Sequence, residues 1–204
     1  NSYTLSPSPT SICGGSTVSV TLSGSEYGIS YRLLVNGVES GSSVLGTGSS
    51  IVLTSGPITN YTTANTTPTL TYRARKISGT TCDAISASSA SITVRPQPVV
   101  TGLSFASTTQ NVCANSSYTF NLSGTSTNYR YQLLDQATNS LVGTAVQGVS
   151  SGTISLSTGS VTTSTTYSLR ITPLTVDANT CVTTLQNQVS VTVISPSVTR
   201  AVYP

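Results

Sequence analysis

Hydrophobic and polar residues alternate along many short stretches of this chain. Residues 18–22 read VSVTL and residues 118–122 read YTFNL, so every second side chain is apolar. A period of two is typical of a β-strand with one buried face. The same criterion, with the abundance of Val, Ile, Thr and Tyr, predicts further strands at 29–35, 50–54, 70–77, 90–94, 129–134, 153–156, 166–171 and 188–194. No stretch has the period of an amphipathic helix of three turns.

The sequence also repeats at an offset of 100 residues. Residues 12–24 read ICGGSTVSVTLSG, and residues 112–124 read VCANSSYTFNLSG. In the same way YRLL at 31–34 recurs as YQLL at 131–134. Self-similarity at a fixed period indicates copies of one structural unit. The sequence therefore predicts two copies of a single domain.

We place these domains at residues 1–96 and 97–204. The join reads Arg95-Pro96-Gln97-Pro98, and its alternate prolines favour an extended, stiff link that sets the two domains in line. PSVT at 196–199 resembles PVVT at 98–101, so we expect the last residues to be a linker towards a further repeat.

About seven short strands in roughly 100 residues, separated by turns rich in Gly, Ser and Asn, are typical of an immunoglobulin-like β-sandwich. The predicted fold class is therefore all-β, with two tandem immunoglobulin-like β-sandwich domains. Because the chain has no Trp, aromatic side chains in each core must come from Tyr and from its two Phe. We expect Tyr31 and Tyr72 in the first core, and Tyr131 and Tyr167 in the second.

Four cysteines allow three pairings. The repeat favours one disulfide in each domain, Cys13–Cys82 and Cys113–Cys181, each at the rim of its sandwich. Closing loops of this length stabilises a domain by about 4 kcal/mol on the chain-entropy model. We expect no metal site, because a four-thiolate site would need cysteines from both copies and the chain has no CxxC motif.

The composition argues against several classes of function. The chain has no His, which is the commonest general base and metal ligand, and its five acidic residues are scattered. We therefore expect no catalytic residue, no enzymatic activity and no cofactor. A net charge of +3 from only eight Lys and Arg gives no basic patch for nucleic acid. No run of eighteen apolar residues is present, so we expect no membrane span.

Two groups of residues have alternative interpretations. Arg73, Arg75 and Lys76 lie together on one predicted strand, which is typical of a solvated face, with ligand binding as the alternative. The tyrosines of turn-like stretches are candidates to stack on sugars, although loop anchoring and packing are the preferred roles for such side chains. These tyrosines are Tyr27, Tyr61 and Tyr129.

Residues 12–24, GISYRL at 28–33, Tyr72 and the late Cys82 together resemble the Ig-like repeats of very large secreted Bacteroidetes surface proteins. The second copy repeats the likeness at 112–124, 129–134, Tyr167 and Cys181. That family includes the SprB-type gliding adhesins exported by the type IX secretion system. The resemblance implies an extracellular, cell-surface segment of an adhesin or filament, with no catalytic or binding residue to carry over.

On this interpretation the chain is a rigid spacer that contributes to surface attachment or gliding motility. Its partners are neighbouring repeats of the same parent chain, with surface glycans as candidate ligands, and the isolated fragment is a monomer. Two alternatives stay open. One is a carbohydrate-binding or accessory module of a secreted glycan-degrading enzyme, and the other is a pilus-type subunit completed by strand exchange.

Overall fold

Strands form where apolar side chains alternate with Ser and Thr, because only a strand places every second residue on one face. The computed structural model describes residues 3–78, 82–150, 152–174 and 181–194, and these residues are all-β with no helix. The chain divides into two units, Asn1–Gln97 (unit 1) and Pro98–Pro204 (unit 2). The division falls within the proline-containing join. Residues 196–199, which resemble the start of a further repeat, lie outside the described residues.

In its described residues unit 1 contains ten strands. They are β1 (Leu5–Ser8), β2 (Ser11–Cys13), β3 (Ser19–Leu22), β4 (Ile29–Val35), β5 (Val38–Leu45), β6 (Ile51–Thr54), β7 (Thr69–Lys76), β8 (Asp83–Ile85), β9 (Ala90–Ser91) and β10 (Thr93–Arg95). One antiparallel sheet has the order β1-β3-β6, and the second has the order β5-β4-β7-β8, with β9 paired to the start of β7. Strands β2 and β10 form a short parallel pair.

The described part of unit 2 contains eight strands. They are β11 (Ser104–Phe105), β12 (Thr109–Cys113), β13 (Ser116–Ser123), β14 (Tyr129–Asp135), β15 (Ser140–Gln147), β16 (Thr153–Val161), β17 (Thr165–Pro173) and β18 (Thr183–Ile194). One sheet has the order β11-β13-β16. The second has the order β12-β18-β17-β14-β15, in which β12 runs parallel to β18 and the other pairs are antiparallel.

The core of unit 1 lies between its two larger sheets. Val20 and Leu22 on β3 contribute the inward side chains of one sheet, and Leu33 on β4 and Leu70 on β7 contribute those of the other; all four are fully buried. Tyr31 and Tyr72 are also buried, with ring centroids 5.9 Å apart. The prediction of a tyrosine-containing core is confirmed for this unit.

Unit 2 has the same arrangement with a larger aromatic cluster. Phe120 is fully buried and meets the rings of Tyr118 and Phe105 edge-on, at centroid distances of 4.8 and 6.2 Å. Tyr131 and Tyr167 are buried in the same core, as predicted. Each unit is thus an immunoglobulin-like sandwich, and the predicted fold class is confirmed.

Candidate functional site

The cysteines are the side chains with the most reactive chemistry in this chain, and the strands fix where each one lies. Cys13 is the last residue of β2 and stands opposite Arg95, the last residue of β10. The next residue, Gly14, donates its N–H to the carbonyl of Arg95 at 2.9 Å. Cys13 therefore lies at the end of the sandwich where the chain leaves unit 1.

Cys82 lies at the other end of unit 1. It directly precedes β8, and its carbonyl accepts the N–H of Lys76, the last residue of β7, at 3.3 Å. The chain enters the unit at this end, where the N–H of Tyr3 lies 3.4 Å from the Tyr72 hydroxyl. The eight residues of β7 span roughly 23 Å at about 3.3 Å per residue. A disulfide needs Cα atoms within about 7 Å, so Cys13 and Cys82 cannot be joined.

Unit 2 separates its cysteines in the same way. Cys113 ends β12 and stands opposite Ile194, the last residue of β18. Cys181 comes two residues before Thr183, which opens β18 and pairs with Ile171. The twelve residues of β18 extend over roughly 36 Å and place these two cysteines at opposite ends of the sandwich.

Both predicted disulfides, Cys13–Cys82 and Cys113–Cys181, are therefore wrong. In the structure Cys13 and Cys181 are disulfide-bonded, whereas Cys82 and Cys113 are free and exposed. The prediction relied on the 100-residue repeat and ignored strand direction. The strand predicted at 70–77 carries the chain to the opposite end of the sandwich before Cys82, and the strand predicted at 90–94 brings it back towards Cys13. The predicted strands thus already place Cys13 and Cys82 at opposite ends.

A cavity of about 470 Å³ opens beside Cys82 in unit 1. Ala74 and Ser86 line it, together with the rings of Tyr31 and Tyr72. In unit 2 the residue that pairs with the equivalent tyrosine is Ile171, which is fully buried. Small side chains in unit 1 thus leave space that larger ones fill in unit 2. This cavity was not predicted from the sequence, because the equivalence of Ala74 and Ile171 follows from strand pairing and not from the 100-residue offset of the repeat.

Each unit also ties its β4 or β14 tyrosine to the preceding loop. The hydroxyl of Tyr31 accepts the backbone N–H of Glu26 at 2.9 Å, and the hydroxyl of Tyr131 accepts that of Ser126 at 3.0 Å. Burial raises the pKa of both hydroxyls above the ordinary tyrosine value. This pair of hydrogen bonds is the same scaffold feature in two copies.

The charged residues of unit 1 form an ion-pair network on the outer face of its larger sheet. Glu39 binds Arg32 at 2.7 Å and Arg73 at 2.6 Å, and Asp83 binds Arg73 and, at 3.4 Å, Arg75. Arg73 donates hydrogen bonds to the carboxylates of Asp83 and Glu39, and these bonds raise the pKa of Arg73. These side chains are 34–59% exposed, so the network is a solvated surface. Its cations are paired with acids instead of being presented to a ligand.

The three tyrosines considered as sugar platforms separate into two groups. Tyr27 is 81% exposed and Tyr61 is 59% exposed, and the ring of Tyr27 lies against Gly48. Tyr129 is buried in β14, so the preferred packing role is confirmed for it and the sugar-stacking alternative is wrong. Its alternation with Tyr131 and Leu133 in the strand predicted at 129–134 could have indicated this burial.

The described residues contain neither a cluster of metal ligands nor a membrane-spanning helix. Within 3–78, 82–150, 152–174 and 181–194, no three His, Cys, Asp or Glu side chains lie close enough together to hold a metal ion. In that part of the chain no helix has the length and apolar character needed to cross a bilayer.

No family model matches this sequence, and no curated protein matches it. Among solved structures, it is similar to the I9–I11 tandem of titin, with 14% identity, a TM-score of 0.34, and coverage of 95% of this chain and 66% of that one. It is also similar to domains 4 and 5 of the S-layer protein SbsC, with 14% identity, a TM-score of 0.31, and coverage of 96% and 98%.

A third similar structure is the D1–D4 ectodomain fragment of ICAM-5, with 10% identity and a TM-score of 0.34. The match covers 96% of this chain and 53% of that fragment. The chain thus spans about two thirds of the titin tandem and about half of the ICAM-5 fragment. At these TM-scores the likenesses carry no argument about function, which has to be inferred from the residues and their geometry.

Proposed function

We propose that this chain is a structural segment of a long extracellular surface protein of the gliding-adhesin type, in which Ig-like units act as spacers. The observation that carries the proposal is the path of the chain through each unit. Chain entry and exit lie at opposite ends of the sandwich, as the positions of Tyr3 and Arg95 show for unit 1. A unit threaded in this way transmits tension from one neighbour to the next.

The parallel strand pairs support this role. In unit 2, β12 and β18 are joined over five register positions, from Thr109 with Ser190 to Cys113 with Ile194. Pulling the ends of the unit apart slides these two strands along each other, so all of their hydrogen bonds are stressed together. In unit 1, β2 and β10 provide three such positions.

Composition and cysteine chemistry support the extracellular part of the proposal. Disulfide-bonded Cys13 and Cys181 fit an oxidising compartment. With 74 Ser and Thr and only 13 charged residues, the surface is hydrated mainly through hydroxyl groups. The proposal includes no catalytic role, because the chain has no His and its few acids on the described face are paired with arginines.

Single-molecule stretching in the presence of a reductant tests the spacer role. We expect two separate unfolding events, which release roughly 340 Å of extended chain for the 97 residues of unit 1 and roughly 370 Å for the 107 residues of unit 2. The event from unit 2 should need the higher force, since its parallel pair is longer. A chain that unfolds at the force of an unstructured polymer, with no discrete events, contradicts the proposal.

A carbohydrate-binding module is the second candidate, because Tyr27 and Tyr61 present their side chains to solvent. Affinity electrophoresis against a panel of soluble polysaccharides separates the two candidates. The spacer role predicts unchanged mobility in every gel. Retardation that is lost in Tyr27→Ala or Tyr61→Ala, and kept in Val38→Ala as an exposed control, would instead favour sugar binding.

A further inference from the structure

The free cysteines occupy defined positions in the repeat. In both units the early cysteine, Cys13 or Cys113, closes the strand at the exit end, where β10 or β18 also finishes. In both units the late cysteine, Cys82 or Cys181, lies at the entry end. For unit 2 this is the end at which Pro173 pairs with Tyr129 and β18 begins. Each unit therefore carries one thiol position at each end.

The equivalents of the two free cysteines in the other unit show that these positions can form disulfides. The two bonded cysteines are an early one, Cys13, and a late one, Cys181. The two free cysteines are the late Cys82 and the early Cys113. Each free thiol thus has an equivalent in the other unit that is disulfide-bonded.

The surroundings of the early cysteines agree between copies. Ile12 and Val112, which precede them, are both buried and fix the strand end against the core. The following residues turn away from the strand in both units, through Gly15 at φ 85° and Asn115 at φ 63°. Cys113 therefore has the same backbone setting as Cys13, with a buried residue before it and a turn after it. At the other end, Cys82 lines the open cavity of unit 1, which leaves its sulfur accessible to an incoming chain.

We propose that Cys82 and Cys113 form disulfides with other copies of this repeat. Cys113 bonds to the late cysteine of one copy, and Cys82 bonds to the early cysteine of another. Since early and late cysteines lie at opposite ends of every unit, this pairing links copies head to tail. It deepens the proposed spacer role, and rests on it, because a tandem array is what brings exit and entry ends together.

The bond forms by thiol–disulfide exchange with a small disulfide donor such as oxidised glutathione. The thiolate of Cys113 attacks the donor disulfide and releases one reduced donor thiol. The thiolate of Cys82 from a second chain then attacks the mixed disulfide and releases the second donor thiol. Two protein thiols are oxidised, the donor disulfide is reduced to two thiols, and the protein sulfurs become one bond.

Oxidation of the purified chain in a glutathione redox buffer tests the pairing, with non-reducing gels and peptide mapping as readouts. A contact between two different ends does not close on itself, so the unmodified chain should give a ladder of linked species. Cys82→Ser alone and Cys113→Ser alone should each stay monomeric. An equimolar mixture of the two variants should give dimers only, and their linked peptides should contain Cys82 and Cys113.

A displaced thiol provides the matched control. The double variant Cys113→Ser with Ser150→Cys keeps the number of free thiols but moves one to an exposed loop position. Its linkage should be at least tenfold slower than that of the unmodified chain. The proposal is wrong if this control links equally fast, if single variants dimerise as readily as their mixture, or if Cys82 and Cys113 take up only glutathione.

The stretching experiment is performed with reductant, where no disulfide contributes. Discrete unfolding events without head-to-tail linkage would therefore overturn the disulfide proposal and leave the spacer role standing. Head-to-tail linkage without discrete unfolding events would overturn the spacer role and leave the disulfide pairing standing.

Discussion

The last part of each sandwich differs most between the two units. In unit 2 it is one strand, β18, which continues for twelve residues and pairs with both β17 and β12. In unit 1 the equivalent segment is divided into β8, β9 and β10. Leu185 and Val189 pack on the core of unit 2, whereas Ser86 and Ala90 take these positions in unit 1.

This difference shows which interactions keep an outer strand continuous. Backbone pairing is available in both units, because β7 and β17 offer similar lengths of eight and nine residues. Side chains that anchor the strand to the core are available in only one of them. Since β propensity mainly measures such packing, small residues break the strand and leave a cavity in unit 1. Changes to the scaffold that both units share, and exchanges of the residues that distinguish them, test this difference.

The largest effect is expected at the glycine of the bulge in β5. Gly41 has φ 74°, and a Cβ there would overlap the carbonyl oxygen of Thr54. Gly143, its counterpart in β15, has φ 66°, and a Cβ added there would lie 2.5 Å from the carbonyl oxygen of Ser157. Gly41→Ala should destabilise unit 1 by roughly 3–5 kcal/mol, because both the strain and the clash involve backbone.

Hydrogen exchange, followed by mass spectrometry on peptides from β4 and from β14, reports the stability of each unit separately. Gly143→Ala should destabilise unit 2 less than Gly41→Ala destabilises unit 1. Gly37→Ala controls for left-handed strain alone, since φ is 79° there and nothing lies near the added carbon. Equal losses in Gly37→Ala and Gly41→Ala would contradict the role of the clash.

The second prediction exchanges the core residues that distinguish the units. Ile171→Ala gives unit 2 the residue that unit 1 has at Ala74, and should cost about 2–4 kcal/mol through lost burial and a new cavity. The reverse change, Ala74→Ile with Ser86→Leu, should stabilise unit 1 by about 0.5–2 kcal/mol by filling its cavity. Exchange in the peptide that contains β8 and β9 should slow. Unchanged exchange there would show that packing does not decide strand continuity.

Much of the sandwich could be predicted from the sequence, because inward side chains alternate clearly on β3, β4, β6 and β7 and on their counterparts. Strands β5 and β15 were missed, since Val38–Leu45 and Ser140–Gln147 lie at sheet edges, where few side chains are buried and alternation is weak. The disulfide pairing also failed. It depends on which end of the sandwich each cysteine reaches, and spacing along the chain does not contain that information.

The third prediction concerns alkaline pH. Burial raises the pKa of Tyr129, Tyr131 and Tyr167 in unit 2, and that of Tyr31 in unit 1, above the ordinary value of 10.0. The folded units hold these protons more tightly than the unfolded chain does. Their contribution is complete below about pH 10 and is lost as the pH rises through the folded-state values.

Unit 2 should therefore lose stability more steeply than unit 1 between pH 9 and 11.5, as measured by urea denaturation monitored in each unit. Tyr129→Phe removes one of the three titrating groups from unit 2 and should reduce the slope. If the two units lose stability in parallel, the number of buried tyrosines does not set their sensitivity to base.

The smallest effect is expected in the ion-pair network, which only unit 1 has among the described residues. Arg32 donates to the carbonyl of Gly41 at 2.9 Å and pairs with Glu39, and in unit 2 Gln132 makes the equivalent bond to Gly143 at 2.7 Å. Arg32→Gln should thus keep the backbone hydrogen bond and lose only the ion pair. The side chains are about 35–42% exposed, so screening by water and salt limits the loss to under about 1 kcal/mol.

The reverse variant separates charge from hydrogen bonding. Position 141, which matches Glu39 in the pairing of β14 with β15, is Leu, so Gln132→Arg finds no acid there and should leave unit 2 unchanged. The loss in Arg32→Gln should shrink further in 0.5 M NaCl, where the Debye length is below about 5 Å. A salt-independent loss above about 1 kcal/mol would mean that Arg32 stabilises unit 1 through packing of its side chain, and the difference between the units would then lie in the stem of Arg32 instead of its charge.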